Sequence, residues 1–262
     1  MPRFSANLSM LWQDLDPYER FDAAAKAGFT NVEMLFPHEL DADRVESTLN
    51  RLGLDMVVFD PAAGHWASGE RGLLALPGRE AEFIDTVGNA IVLATRLGTS
   101  KLNALVGIVP EGVSREQAQA TAIANLNHVA PLAGDAGITL LVEAINNIDI
   151  PGYWASTVST AVSLVETVNH PSVRLQLDQY HAAMAGEDPI ACLRMYFPLV
   201  AHVQIADVPG RHEPGTGSQP ISEFLDEVDR LGYDGFVGLE YRPLVDTATS
   251  LEWMQAEASR PR

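Results

Sequence analysis

The chain has one cysteine, Cys192, so it cannot close an internal disulfide, and a reducing compartment, the cytoplasm, is expected. Basic residues are also scarce: 17 Lys and Arg stand against 35 Asp and Glu, a formal charge of −18. Such a surface repels phosphate backbones and anionic membranes, so neither nucleic acid nor a lipid surface is expected as a partner. No apolar run approaches the roughly 18 residues of a membrane span. The opening MPRFSANLSMLWQD lacks a long apolar stretch behind a basic patch and does not read as a secretory leader. A glycine fingerprint is missing as well. Asn7-Leu8-Ser9-Met10 is not a dinucleotide turn, so no nucleotide cofactor is expected.

What the chain does have is a regular alternation of short β-rich runs and longer helical patterns. Strands are expected near 4–9, 31–36, 54–59, 101–106, 138–145, 173–179, 201–207 and 236–242. Helical patterns lie between them, among others at 17–27, 80–97, 114–134, 157–168 and 220–231. Several end at a glycine that leads into the next strand, as in Leu52-Gly53-Leu54 and Ala136-Gly137-Ile138, because glycine accepts the left-handed conformation that stops a helix. Eight such alternations without a low-complexity linker argue for parallel pairing in a single α/β domain over 1–262, a (β/α)₈ TIM barrel. An open doubly wound sheet is the rival, disfavoured by the count of eight and the absent fingerprint.

In such a barrel, chemistry sits where strands end. The fifth strand ends Leu140-Leu141-Val142-Glu143, the sixth Leu175-Gln176-Leu177-Asp178, the seventh carries His202-Val203-Gln204 and the eighth Gly238-Leu239-Glu240. Each polar group follows large apolar residues in a run that should be buried. Three carboxylates buried together repel one another, and a divalent cation with hard oxygen ligands, Mg²⁺ or Mn²⁺, removes that cost. The plain alternative is a set of separate acids, each paired to a base. Only Lys101, Arg174, Arg211 and Arg242 are candidates for that, which favours one shared cation.

The motifs around these positions are specific. They run from RFSANLSML (Arg3–Leu11) through the AGHWASGERG run (Ala63–Gly72), PGRE (Pro77–Glu80), Leu141–Asn146 and DIPG (Asp149–Gly152). They continue in QIADVPGRHEPGTG (Gln204–Gly217) and GYDGFVGLEY (Gly232–Tyr241). Over nearly the whole chain this resembles the hydroxypyruvate isomerase family of xylose isomerase-like barrels. The resemblance implies that Glu143 and Glu240 transfer protons and also hold the metal with Asp178 and Gln204. It implies interconversion of hydroxypyruvate and tartronate semialdehyde, with a small 2-oxo acid as substrate and a homo-oligomer as the assembly. Isomerisation of 2-oxo-tetronate, ketose 3-epimerisation and sugar dehydration are the alternatives within the same barrels. The barrel is shared with endonuclease IV, but that enzyme needs a histidine-rich site and a basic surface, which this chain lacks.

Further candidates surround these four. His181 is expected to polarise a substrate carbonyl, and Arg211 to clamp the substrate carboxylate with its planar fork. Asn146 and Asp149 are expected to hold substrate hydroxyls or to form the turn before Pro151. Glu70 and Arg71 read as a lid or as a surface pair with each other. Gly215-Thr216-Gly217 reads as a mobile loop rather than a phosphate cradle, and Trp12, Trp66 and Trp154 as pocket walls or packing.

Overall fold

The computed structural model describes residues 2–260. Its eight strands are β1 (Arg3–Asn7), β2 (Asn31–Met34), β3 (Asp55–Phe59), β4 (Lys101–Asn103), β5 (Thr139–Glu143), β6 (Val173–Asp178), β7 (Val200–Ile205) and β8 (Phe236–Leu239). All pair in parallel in chain order, and β8 returns to β1 with Arg3 opposite Phe236 and Ala6 opposite Leu239, closing the barrel. The open doubly wound sheet is thereby excluded. The connecting helices are α1 (Glu19–Lys26), α2 (Ala42–Leu52), α3 (Glu80–Leu97), α4 (Arg115–Asp135), α5 (Val158–Val168), α6 (Gln179–Met184), α7 (Pro189–Tyr196) and α8 (Ile221–Arg230). Two short helices, α9 (Thr247–Ser250) and α10 (Trp253–Ala258), follow β8. No helix among the described residues is long and apolar enough to cross a membrane.

Local chemistry sets the helix limits. The Asp41 side chain accepts from Arg44 N–H at the start of α2, and Gly53, at φ 65°, ends it in the left-handed conformation. Ser114 and Gln117 form a reciprocal capping box at the start of α4. Strand side chains alternate, and the alternation divides the molecule into two zones. Leu140, Val142, Leu175, Leu177, Val203, Ile205, Val237 and Leu239 belong to the apolar core shared with helix residues such as Phe21, Val87, Leu126 and Phe224. The intervening positions, among them Glu143, Gln176 and Gln204, line a cavity inside the barrel. This interior is polar where such barrels are usually filled by branched aliphatic side chains.

The expected strands fall in place but, except for the third, which ends at Phe59 as expected, overrun at their C-terminal ends. The run read as 101–106 stops at Asn103, because Val106 and Ile108 leave the barrel for isolated antiparallel bridges to Gly72 and Tyr153. β8 stops at Leu239 rather than at residue 242, and Arg242 N–H instead bonds to Arg211 O in a mouth loop. The overruns share one cause: the mouth loops carry buried apolar residues, which read like strand.

Candidate active site

The cavity, about 1120 Å³, opens at the C-terminal ends of the strands. Glu143 ends β5, Asp178 ends β6, Gln204 lies in β7 and Glu240 directly follows β8; all four are buried. Register places Asp178 beside Gln204 and Gln204 beside Gly238. Gly238 is required by close approach: a β-carbon there would lie 2.5 Å from Glu33 Oε2 and 2.8 Å from Gln204 Cγ.

Two further buried acids, Glu33 of β2 and Asp60 directly after β3, line the same cavity. Neither is among the residues singled out from the sequence, although both follow the strand-end rule that exposes the other four. Glu33 accepts from Ser5 Oγ and from Gln204 Nε2 (3.0 Å), and Gln176 Nε2 donates to Gln204 Oε1 (2.7 Å). The Gln204 amide is thus fixed at both ends, with one lone pair left on its oxygen. His202 Nε2 lies 2.9 Å from Glu33 Oε1 but off hydrogen-bonding geometry, and neither ring nitrogen has a hydrogen-bond partner.

Five buried carboxyl groups therefore meet at the mouth, and one largely buried guanidinium, Arg211, serves them. Its Nη2 lies 3.1 Å from Asp178 Oδ2 and 3.2 Å from Glu240 Oε1, and its Nε donates to Glu240 O. Arg211 has a φ of 58°, unusual without glycine, and is held there by bonds from its N–H to Asp207 O and from Arg242 N–H to its carbonyl. Burial, then the charges of Glu240 and Asp178, push the Glu143 carboxyl well above the usual range. Burial likewise raises Glu240 to about 8, although Arg211 pulls it down. Asp60 is raised by burial and by Glu143. Asp178 is raised by burial against the opposing pull of Arg211 and of the Tyr180 and His181 N–H groups. Burial opposes the charge on Arg211, but Glu240, Asp178 and Glu143 outweigh it and raise its pKa.

Asp178 also caps α6, its Oδ1 accepting from Tyr180 N–H at 2.7 Å and His181 N–H at 3.4 Å. This cap aims His181 at the acids. Ligand atoms of Glu143, Asp178 and His181 lie within 4.8 Å of one another, a group able to hold a metal ion. The imidazole tautomer follows from its neighbour. Asn146 Oδ1 accepts from the N–H groups of Ile148 and Asp149, which fixes the amide and turns its NH₂ toward His181 Nδ1 at 2.7 Å and Asp149 Oδ2 at 3.2 Å. Nδ1 is therefore the acceptor, and the ring proton sits on Nε2, 3.6 Å from Asp178 Oδ2. Burial and Arg211 keep the ring neutral, its pKa well below the ordinary value. In this tautomer His181 offers a proton rather than a lone pair, and the hard oxygens of the carboxylates and Gln204 are the better fit to a divalent ion.

The remaining expectations divide. Asp149, His181 and Arg211 line the cavity, whereas Asn146 is fully buried behind His181 and orients the ring rather than meeting the cavity. Glu70 and Arg71 do not pair with each other. Glu70 takes Arg79 at 2.8 Å and the His65 N–H, while Arg71 stacks on Trp66 and lines the cavity. The Gly215 and Gly217 N–H groups both donate to Asp207 Oδ2, so they are not free to cradle a phosphate. Of the three tryptophans only Trp66 lines the cavity; Trp154 is buried, its Nε1 donating to Arg115 O, and Trp12 packs edge-on against Phe29.

A closed eightfold barrel with a buried carboxylate cluster where its strands end has the layout of a barrel enzyme. Residues 21–257 match the xylose isomerase-like TIM barrel family. The 2-oxo-tetronate isomerase of Cupriavidus necator is 39% identical over 99% of this chain and 100% of its own. The hydroxypyruvate isomerase of Escherichia coli is 39% identical over 97% of this chain and 98% of its own. A crystal structure from Brucella melitensis, described as an AP endonuclease of family 2, superposes with a TM-score of 0.95 at 41% identity, covering 98% of this chain and 99% of that one. The chain belongs to the hydroxypyruvate isomerase family of xylose isomerase-like TIM barrels and is an enzyme of the isomerase class.

Proposed function

We propose that the protein interconverts hydroxypyruvate and tartronate semialdehyde (2-hydroxy-3-oxopropanoate) by moving a proton between adjacent carbons through an enediolate. The observation that supports this reading most is a pair of buried glutamates, Glu143 and Glu240, on one cavity, both with raised pKa values. Carboxyl groups raised above their usual range can each carry a proton in one half of the reaction and release it in the other. Glu143 and Glu240 form the pair that takes a proton from the hydroxymethyl carbon and returns one to the neighbouring carbon; Arg211 touches Glu240. Glu143 accepts from Asn103 Nδ2 (2.7 Å) and, among the described residues, has no cation in contact. The His181 Nε2–H polarises the carbonyl oxygen, with Asp149 beside it on the cavity wall and Asn146 holding the ring. Glu143, Asp178, Gln204 and Glu240 are the residues to hold a divalent ion, Mg²⁺ or Mn²⁺, which would stabilise the negative charge that develops on the substrate oxygens. Excess carboxylate over guanidinium at the mouth supports such a cation. A homo-oligomer belongs to the same reading and is checked by light scattering.

The cavity volume and the Cupriavidus necator relative favour a second reading, isomerisation of a four-carbon 2-oxo-tetronate. Steady-state kcat/KM for the two acids, measured side by side with and without EDTA, decides between them. The first reading predicts preference for hydroxypyruvate; no turnover of either acid overturns both. An abasic-site nuclease gains little support, since an acidic mouth on a chain of charge −18 offers no track for phosphates. Cleavage of abasic DNA by the pure protein would reverse that.

A further inference from the structure

We infer that Arg71, rather than Arg211, receives the carboxylate of the substrate; this rests on the proposed action on a small 2-oxo acid. The floor of the cavity is strongly acidic, so an anionic substrate needs a cation that is not already neutralised. Among the described residues three arginines line the cavity: Arg71, Arg211 and Arg242. Arg211 is engaged by two carboxylates and a carbonyl of the site itself, and Arg242 is exposed to solvent. Drawing Arg211 onto a substrate would break its contacts to Asp178 Oδ2, Glu240 Oε1 and the Glu240 carbonyl together.

Arg71 is differently placed. Its Nη1 donates to Trp66 O (3.0 Å) and Glu70 O (2.7 Å), and its guanidinium carbon lies 4.1 Å from the centre of the Trp66 ring. Among the described residues it pairs with no carboxylate, and Nε and Nη2 form no hydrogen bond to the protein. A guanidinium pinned on one edge and stacked on an aromatic face keeps its other edge in a fixed plane, suited to two parallel bonds to a carboxylate. Its loop is rigidly built. Glu70 locks onto Arg79 and the His65 N–H, Phe36 meets Trp66 edge to face at 4.9 Å, and Gly72 bridges to Val106. Gly72 approaches so closely that a β-carbon would lie 2.3 Å from Leu105 O. Carboxylate on Arg71 would leave the reacting carbons in the cavity that Glu143 and Glu240 also line.

The test pairs kinetics with binding of a carboxylate that cannot isomerise. Arg71→Met is expected to raise KM for hydroxypyruvate about 30- to 100-fold with kcat within about threefold, the loss expected for one charge-assisted bidentate contact. Arg71→Lys should recover part of it. Calorimetric Kd for D-glycerate should weaken in parallel in Arg71→Met, whereas glycerol, which lacks the carboxylate, should bind the variant no worse than the wild type. Glycerate affinity unchanged in Arg71→Met with a native melting curve, or no glycerate binding by the wild type, overturns the inference. Glycerate binding that depends on Arg71 in a protein that isomerises no 2-oxo acid would instead sink the functional reading while sustaining the anion site.

Discussion

The loop wall at 64–79 and the floor of the cavity contain the same residue types in opposite electrical states. On the wall, Glu70 shares a partly exposed Arg79 with Glu82, and Arg79 together with the His65 N–H lowers its pKa to about 2. On the floor, Glu240 has Arg211 in contact at 3.2 Å, without the hydrogen bonds that Arg79 gives Glu70, and burial and neighbouring acids raise it to about 8. An ion pair in itself therefore says little about protonation. The ratio of acids to bases, and the exclusion of water around them, decide it. The wall holds its acid ionised, and the floor holds its acids toward the protonated form.

Breaking the floor should have the largest effect. Glu143→Gln and Glu240→Gln should each lower kcat by about 10³-fold or more while circular dichroism stays native, since each amide keeps the shape but cannot exchange a proton. Glu70→Gln, the matching change on the wall, should leave kcat within a few-fold; a loss comparable to the floor variants would erase the distinction. The next effect is at Asn146. Asn146→Asp places an acceptor against His181 Nδ1, moves the ring proton there and removes the donor at Nε2. We expect kcat to fall about 10- to 100-fold, the size usual for a residue that orients another. The ¹⁵N shifts of His181 should show protonation moving from Nε2 to Nδ1; an unmoved tautomer would contradict the assignment.

Stability against pH should then separate the two regions in sign. The folded pKa of Glu240 lies above its unfolded value, so its contribution is fully present below about pH 4 and is lost as pH rises through about 8. In protein stripped of metal with EDTA, Glu240→Gln should accordingly gain stability relative to wild type between pH 5 and 8, by about 1–2 kcal/mol or about 3–6 °C in Tm. Glu70 has the depressed pKa, so its contribution is present above about pH 4.5 and is lost as pH falls toward 2. Glu70→Gln should cost about 0.5 kcal/mol at pH 7 and nothing near pH 2, the smallest effect of the series. Melting curves over that range read both; parallel curves for the two variants would contradict the contrast.

The barrel was legible because β-rich runs recur eight times, five of them led in by a glycine that ends the helix before, and the strand-end acids because a charge after Leu-Val or Gln-Leu is costly to bury. Glu33 was harder to see: in Asn31-Val32-Glu33-Met34, a single charge amid apolar residues also fits a solvent-facing strand position. Asp60 sat among Phe59 and Pro61, where a turn residue is ordinary. The split of Glu70 from Arg71 was not legible at all, because adjacency in sequence suggests pairing. The partner of Glu70 is Arg79, nine residues on, and depends on how the loop folds back. Asn146 gave a mixed signal for the same reason: its side chain does serve the turn, and in doing so orients His181.

Proton exchange between the two glutamates and the substrate is read by running the reaction in D₂O and following the aldehyde product itself by proton NMR at low conversion, with correction for exchange without enzyme. The account predicts solvent deuterium at the carbon that gains hydrogen in the wild type, and none above background in Glu240→Gln. Product formed by the wild type with full retention of protium would mean direct hydrogen transfer between carbons, and would contradict it.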